Sequence, residues 1–203
     1  HAATRLGHWT FETPDFVAAH GAAPVEVANI GWSSGQIGQS AEAHLPGPTM
    51  LKYRDAEPNG DANVNLRRGT IRLWIRPCWT TVSLGGSGPG AWVRLVEVGE
   101  WTEDGSHGDW QLALNPDGDQ IRWWADDGEG HVATTAYDGI QWREGQWHQI
   151  AVAYDETTVR IFVDGAEVAC HFGSPAVFYP DRTIRGTAGL AFGSTRDAMA
   201  SGG

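Results

Sequence analysis

An all-β fold, a two-sheet antiparallel sandwich, is what this 203-residue sequence predicts, and three features carry the prediction. The clearest is a pair of runs, Gly145-Gln-Trp-His-Gln-Ile-Ala-Val-Ala-Tyr154 and Thr158-Val-Arg-Ile-Phe-Val-Asp-Gly165. Ile150, Val152 and Tyr154 alternate with Gln149, Ala151 and Ala153 in the first; Val159, Ile161 and Val163 alternate with Arg160 and Phe162 in the second. Period-two alternation on both sides of a short polar connection describes an antiparallel hairpin lying over a core. The second feature is Asp164-Gly165, a pair that tolerates the positive φ of a tight turn into Ala166-Glu-Val-Ala169. The third is composition: 27 Gly and 10 Pro suit many turns rather than long helices.

Taken in order, Arg5–Phe11 reads as a first strand, with Leu6, His8 and Thr10 alternating against Gly7, Trp9 and Phe11. Val25–Ile30 and Ala41–Leu45 are short strands between Gly and Ser turns, and the polar stretch Tyr53–Leu66, with Pro58-Asn-Gly60, is a surface loop. Strands follow at Arg68–Arg76, Ala91–Val98, Trp110–Leu114, Gln120–Ala125, His131–Ala136, Trp147–Tyr154, Thr158–Val163 and Ala166–Ala169, and Gly186–Phe192 closes the set. Alternation assigns Ile71, Leu73, Ile75, Ile150, Val152, Val159, Ile161 and Val163 to a shared core. No repeat and no linker interrupts the chain, so residues 1–203 read as one domain, long enough to bury a core without staples.

The phrases "GTIRLWIRP" (Gly69–Pro77), "GQWHQIAVAYD" (Gly145–Asp155) and "VRIFVDGAEVA" (Val159–Ala169) together resemble the laminin-G-like, concanavalin-A-like jelly-roll family, in its bacterial extracellular form. The resemblance spans most of the chain and implies a two-sheet antiparallel jelly roll; it says little about function, because this sandwich carries many unrelated sites. It also implies a structural Ca²⁺ near the sheet rim, for which Asn115-Pro-Asp-Gly-Asp119 and Asp126-Asp-Gly-Glu129 offer hard oxygen ligands: Asp117, Asp119, Asp126 and Asp127. The first of these loops reads equally as a plain hairpin turn. One departure stands out. Such domains usually end in a strand reading like "IDEVRIY", whereas this sequence stops at Ser201-Gly-Gly203 where that strand begins, so the strand is disordered, trimmed or replaced.

A net charge of −11, with Lys52 as the only lysine, disfavours nucleic acid and anionic membranes as partners, since both need a basic surface. No apolar run approaches spanning length, which argues against a membrane segment. The sequence opens on His1 rather than Met, as after removal of a leader or at a chosen boundary. The 11 Trp are the compositional outlier. Flat aromatic faces stack on the C–H groups of sugar rings, so Trp in a β-sandwich raises the expectation of carbohydrate binding.

On the strands, the side chains opposite the core set are Arg72, Trp74, Arg76, Arg122, Trp124, Arg160 and Phe162. If these strands share a sheet, the four Arg and three aromatics form one groove for a glycan, the guanidinium forks meeting carboxylates or vicinal hydroxyls. The competing reading has the Arg lying over exposed aromatics or paired with surface acids. Glu97 and Glu100 are the nearest approach to a glycosidase acid pair, but strict alternation puts them on opposite faces, and no Glu-x-Asp-x-x-Glu strand is present. The eight His form no zinc signature; His148 reads as a packed imidazole, and His1 as a copper ligand only if it is a mature N-terminus with a second His on a flat surface. Cys78 and Cys170 both fall at strand ends, where a bridge forms if their Cα atoms come within about 7 Å, and a disulfide between them is expected for a secreted protein. The sequence is thus read as a non-catalytic extracellular module that binds a polysaccharide or glycan, or mediates adhesion, within a larger secreted bacterial protein. The alternatives are a jelly-roll glycoside hydrolase or polysaccharide lyase, and a spacer without ligand.

Overall fold

The computed structural model describes residues 4–43, 48–102 and 105–194, the side chains of residues 100–102, 105 and 106 excepted. Four strands precede the clearest hairpins: β1 (Glu26–Ala28), β2 (Ile30–Ser34), β3 (Gln39–Ala43) and β4 (Met50–Tyr53). Then come β5 (Gly69–Ile75), β6 (Val93–Thr102), β7 (Gly105–Leu114), β8 (Ile121–Asp126) and β9 (Val132–Tyr137). The last elements are β10 (His148–Tyr154), β11 (Thr158–Val163), β12 (Ala166–Phe172), a short helix α1 (Arg182–Ala188) and β13 (Leu190–Ser194). A seven-stranded sheet in the order β1-β4-β13-β6-β7-β8-β9 packs on a four-stranded sheet, β12-β11-β10-β5, and β2 pairs with β3 in a separate ribbon. Every pairing is antiparallel. This is the predicted jelly-roll sandwich.

Alternation places the core as expected. Ile150, Val152, Val159 and Ile161 are fully buried, and Ile71, Leu73, Ile75 and Val163 pack against them while partly exposed. Their partial exposure follows from position: β5 is an edge strand, and Val163 ends its hairpin at the Asp164-Gly165 turn, where both residues have positive φ. The opposing sheet contributes Val96, Val98, Leu112, Leu114, Ile121 and the rings of Trp110 and Trp123. Each branched side chain so buried contributes about 1.5–3 kcal/mol.

A second, smaller core forms under the β1-β4-β13 wing from Phe16, Leu51 and Tyr53, with Trp9, Phe11, Ile30 and Phe192 against it. Here the chain departs from the sequence reading. Residues 5–11 form no strand, only a single bridge from His8 to His20. Trp9 turns in to meet Tyr53 and Phe192 with ring centroids 5.5 and 4.9 Å away, and Phe11 adopts a left-handed φ of 57° that ends extended pairing. Val25–Ile30 divides for the same reason. Asn29 sits at φ 48°, so β1 joins the large sheet and β2 the ribbon. Tyr53–Leu66 is only partly a surface loop: Tyr53 ends β4, and Asn63 and Leu66 are buried. The expected strand at Gly186–Phe192 is instead the end of α1 followed by β13. Asp181 caps that helix by accepting from the N–H groups of Thr183 and Ile184, as a helix-initiating carboxylate does. The expected closing strand beyond Ser201, and the His1 copper site, lie outside the described residues.

The Cys78–Cys170 disulfide is not formed: both thiols are free and exposed. Cys170 lies on β12, level with Arg160 of β11, Ala153 of β10 and Thr70 of β5. Cys78 follows the opposite end of β5, three strand spacings away across the sheet, or about 14 Å. A bridge needs Cα atoms within about 7 Å. In denaturant without reductant, a thiol titration is expected to count two free cysteines; a count of zero refutes this strand order.

The register makes a second prediction. Ile161→Ala empties a core position and is expected to lower stability by about 2–5 kcal/mol in urea denaturation. Arg160→Ala removes an exposed pair with Glu167 at 3.2 Å and a loose contact with the exposed Phe172 ring at 6.0 Å, and is expected to cost under about 1 kcal/mol. Equal losses, or the reverse order, contradict the pleat.

Candidate functional site

The seven residues assigned to one groove lie on two outward faces, one per sheet. Arg72, Trp74, Arg160 and Phe162 share the outer face of the four-stranded sheet, around a floor of Ala151 and Ala153. Trp74 is 48% exposed there. Arg160 is already engaged, by Glu167 and by the Phe172 ring at 6.0 Å. Arg76 lies beyond the end of β5, with its guanidinium 5.3 Å from the Trp147 ring. Arg122 and Trp124 belong to β8, in the other sheet, and face away from the sandwich on its opposite side. The common-face expectation fails because alternation fixes which side of a strand a residue occupies, not which sheet the strand joins.

The outer face of the large sheet is the more elaborate of the two. Leu112 and Leu114 of β7 point into the core, so Asp109, Gln111 and Ala113 point out. On β6, Arg94 and Glu97 both point out as well, although strict alternation puts residues three apart on opposite faces. A β-bulge between Arg94 and Val96 resets the pleat and brings the two together, with Arg94 Nε 3.2 Å from Glu97 Oε1. Gln111 Nε2 donates to Asp109 Oδ2 at 2.6 Å. Arg94, Glu97, Asp109 and Gln111 are each at most 2% exposed. They form a polar floor where a purely structural face has only solvated or apolar side chains.

Above this floor, Arg122 is held between two indoles. Its guanidinium carbon lies 4.1 Å from the Trp92 ring centroid and 5.0 Å from that of Trp124. Its Nε is buried without an acceptor, and the side chain has no carboxylate partner among the described residues. Burial lowers its pKa, nearby Asp109 opposes that and Arg94 adds to it, yet a guanidinium stays charged throughout. Exposed Thr134 and Ala136 of β9 continue the face outward. The sequence reading found Arg122 and Trp124 but missed Trp92, Arg94, Asp109 and Gln111. Asp109-x-Gln111-x-Ala113 was a readable signal for part of this face.

The four acids assigned to calcium do not gather. Asp117 and Asp119 sit in the β7–β8 turn, whereas Asp126 ends β8 and Asp127 follows it, roughly 20 Å along that strand. Their oxygens serve the turns: Asp119 accepts from Asn115, and Asp126 from the Gly128 N–H. Asp127 accepts from the N–H groups of Glu129 and His131, and its other oxygen lies 2.8 Å from His131 Nδ1. The acids that do approach one another are Asp127 and Glu129, with His131, their ligand atoms within 4.8 Å. An imidazole is a poor ligand for a hard cation, so this trio is no all-oxygen calcium cage. His148 is packed as expected, stacked on Trp142 at 4.6 Å with Nδ1 2.8 Å from Asp164 Oδ2.

Burial raises the Asp127 carboxyl, but the Glu129 N–H and the ring and N–H of His131 outweigh it, holding Asp127 below the usual carboxylate value. The stabilisation is therefore present above the unfolded-state pKa and is lost as pH falls through the folded-state value. An NMR titration is expected to place Asp127 below 3.8, and His131→Ala to move it back up. An Asp127 that titrates above 3.8 contradicts the loop geometry.

Residues 56–198 match the family profile of the concanavalin A-like lectin/glucanases superfamily, laminin-G type. Among curated proteins, none matches the chain. Among solved structures, domain 4 of AbnA, an extracellular arabinanase of Geobacillus stearothermophilus in complex with arabinotriose, is 17% identical with a TM-score of 0.60, covering 96% of this chain and 85% of that one. The binding domain of botulinum neurotoxin serotype G is 10% identical with a TM-score of 0.57, over 96% of this chain and 45% of that one. The CBM40 of Ruminococcus gnavus IT-sialidase is 20% identical with a TM-score of 0.48, over 63% of this chain; the match spans 64% of that chain. At these identities the structural likeness is one of fold. With the profile covering more than two thirds of its length, the chain belongs to the concanavalin A-like lectin/glucanases superfamily.

Proposed function

We propose that the chain is a non-catalytic carbohydrate-binding or adhesion module whose ligand lies across the outer face of β6, β7 and β8. One observation carries the reading: the Arg122 guanidinium is clamped between Trp92 and Trp124 and has no carboxylate of its own among the described residues. Sugar hydroxyls and ring oxygens supply the acceptors that this fork lacks, while C–H faces of the ring rest on indole. The floor beneath acts on the arginine through charge, Asp109 favouring it and Arg94 opposing it. Glu97 is held by Arg94 and Asp109 by Gln111, so the acids balance the local charge and orient their partners.

The same pairing favours binding over hydrolysis, because a general acid or nucleophile needs access to the glycosidic bond and Glu97 is 1% exposed. Domain 4 of the arabinanase AbnA, which has the same fold, is in complex with arabinotriose, which agrees with the reading. Extracellular placement within a larger secreted protein belongs to the same proposal, resting on the −11 charge and the single lysine. A calcium ion at the β8–β9 turn has to displace His131 from Asp127; it stands as an addition tested by repeating the assay in EDTA.

Affinity electrophoresis in gels cast with soluble polysaccharides tests the proposal. Retention is expected with one or more glycans, at a micromolar-to-millimolar Kd or about −4 to −8 kcal/mol. Trp124→Ala and Arg122→Ala are expected to abolish it with the melting temperature nearly unchanged, whereas Trp74→Ala, on the opposite face, is expected to retain it. Loss with Trp74→Ala alone moves the site to the small sheet. Release of reducing sugar identifies an enzyme, and silence across the polysaccharides leaves the spacer reading.

A further inference from the structure

A second concavity lies at the rim of the sandwich, away from both sheet faces. It has two parts. The larger, about 530 Å³, opens between the β8–β9 loop, the β10–β11 turn and the segment before α1. Phe178 and Tyr179 supply its aromatic wall, and Glu156, Thr157 and Ser174 its polar edge. The smaller, about 250 Å³, has an apolar side formed by Leu6, Val64 and Leu66 and a polar side formed by Asn65 and Arg185. Arg67 and Tyr179 line both, so the two cavities adjoin along that pair, with the guanidinium 5.5 Å from the ring centroid.

The charges of the two parts differ. The larger holds Asp127 and Glu156, and the Asp127 oxygens are already occupied by Glu129 and His131. That leaves Glu156, exposed and without a side-chain partner among the described residues, as an acceptor for hydroxyls. The smaller is lined by two arginines and no carboxylate. Arg185 is paired with Asp55 at 3.8 Å and its Nε donates to the Asp181 carbonyl at 3.3 Å, whereas Arg67 has no ion pair among the described residues. In a chain of net charge −11, a lining of two guanidinium groups, only one of them paired with an acid, offsets the surrounding negative charge.

We propose that this rim groove is a binding site for an acidic oligosaccharide, with a uronate carboxylate in the smaller cavity and a neutral stretch of sugar in the larger. Arg67 and Arg185 receive the carboxylate, for which the planar fork is the matched donor. The Tyr179 ring, held against Arg67, meets the sugar face at the junction, and Glu156, Thr157 and Ser174 meet its hydroxyls. Reversal of the ligand is disfavoured because it sets the carboxylate against Glu156. The site is independent of the Arg122 face: it uses different elements and no shared residue.

The test is an amide NMR titration of the whole chain with acidic trimers that carry a single terminal galacturonate, glucuronate or mannuronate on two neutral sugars, beside their carboxyl-reduced counterparts. Acidic trimers are expected to shift amides at 64–67 and 174–185, and the reduced ones to bind about tenfold more weakly or not at all. Arg67→Ala, an exposed position that leaves the core intact, is expected to weaken the acidic trimer about tenfold, with Arg67→Lys intermediate. Raising salt is expected to weaken it further. Trp124→Ala is expected to leave the rim response unchanged, which separates this site from the sheet face. Rim amides that stay silent with all three acidic trimers, equal response to the reduced trimers, or undiminished binding by Arg67→Ala each overturn the proposal. Shifts confined to the Trp124 face that vanish with Trp124→Ala overturn it while supporting the other site.

Discussion

Everything on the two outer faces depends on a contact in the middle. Tyr154 of the small sheet packs between Trp110 and Trp123 of the large one, with centroids 5.4 and 5.0 Å away, and those two indoles meet each other edge-to-face at 4.5 Å. Aromatic pairs in such geometry add to their area burial, and they also fix orientation. The Tyr154 hydroxyl donates to the Asn65 carbonyl at 2.7 Å, tying this centre to the segment that leads into β5. Burial drives the Tyr154 pKa upward, so the phenol stays a donor across any physiological range. Because Trp110 and Trp123 must point inward, their neighbours Asp109, Gln111, Arg122 and Trp124 must point outward. The polar face is a consequence of the core.

That consequence carries a cost, and the cost is informative. Burying a charged pair rarely adds stability over well-packed apolar groups, because desolvation offsets the attraction. Arg94 with Glu97, and Asp109 with Gln111, nonetheless occupy the outer face of the central strands at no more than 2% exposure each. A solvated surface does not need such an arrangement, and a core does better without it. Its charges reach Arg122 above it, Asp109 favouring the guanidinium and Arg94 opposing it.

Much of the fold was legible because period-two alternation is a local signal. The β10–β11 hairpin follows from Ile150, Val152, Val159 and Ile161 across a short polar turn, and the Asp164-Gly165 turn follows from its residue types. What the sequence did not show is non-local. Sheet membership separates Arg72 and Trp74 from Arg122 and Trp124, and no spacing within either strand encodes it. A bulge at Arg94 and left-handed residues at Phe11 and Asn29 break alternation at points where no glycine or proline announces the break. The Cys78–Cys170 reading failed the same way: strand ends were recognised, but which edge of the sheet each occupies was not.

Two modes of holding an arginine recur. Arg94, Arg160 and Arg185 lie against the carboxylates of Glu97, Glu167 and Asp55, which engage part of each fork. Arg67, Arg76 and Arg122 are held instead by aromatic rings: Tyr179, Trp147, and the Trp92–Trp124 pair. A ring attracts a cation through its quadrupole and keeps the side chain extended, yet it accepts no conventional hydrogen bond in the guanidinium plane. A ring-held arginine therefore keeps its charge, its orientation and most of its in-plane donors, whereas a carboxylate-held one keeps only its position. With 25 acidic residues against 14 basic ones, carboxylates are abundant enough to have paired every arginine. That three are positioned by aromatic side chains leaves their forks facing outward, and two of those three stand at the centre of a concave or polar site. The separation between consumed and available guanidinium groups, more than the number of tryptophans, is what the two proposed sites rest on.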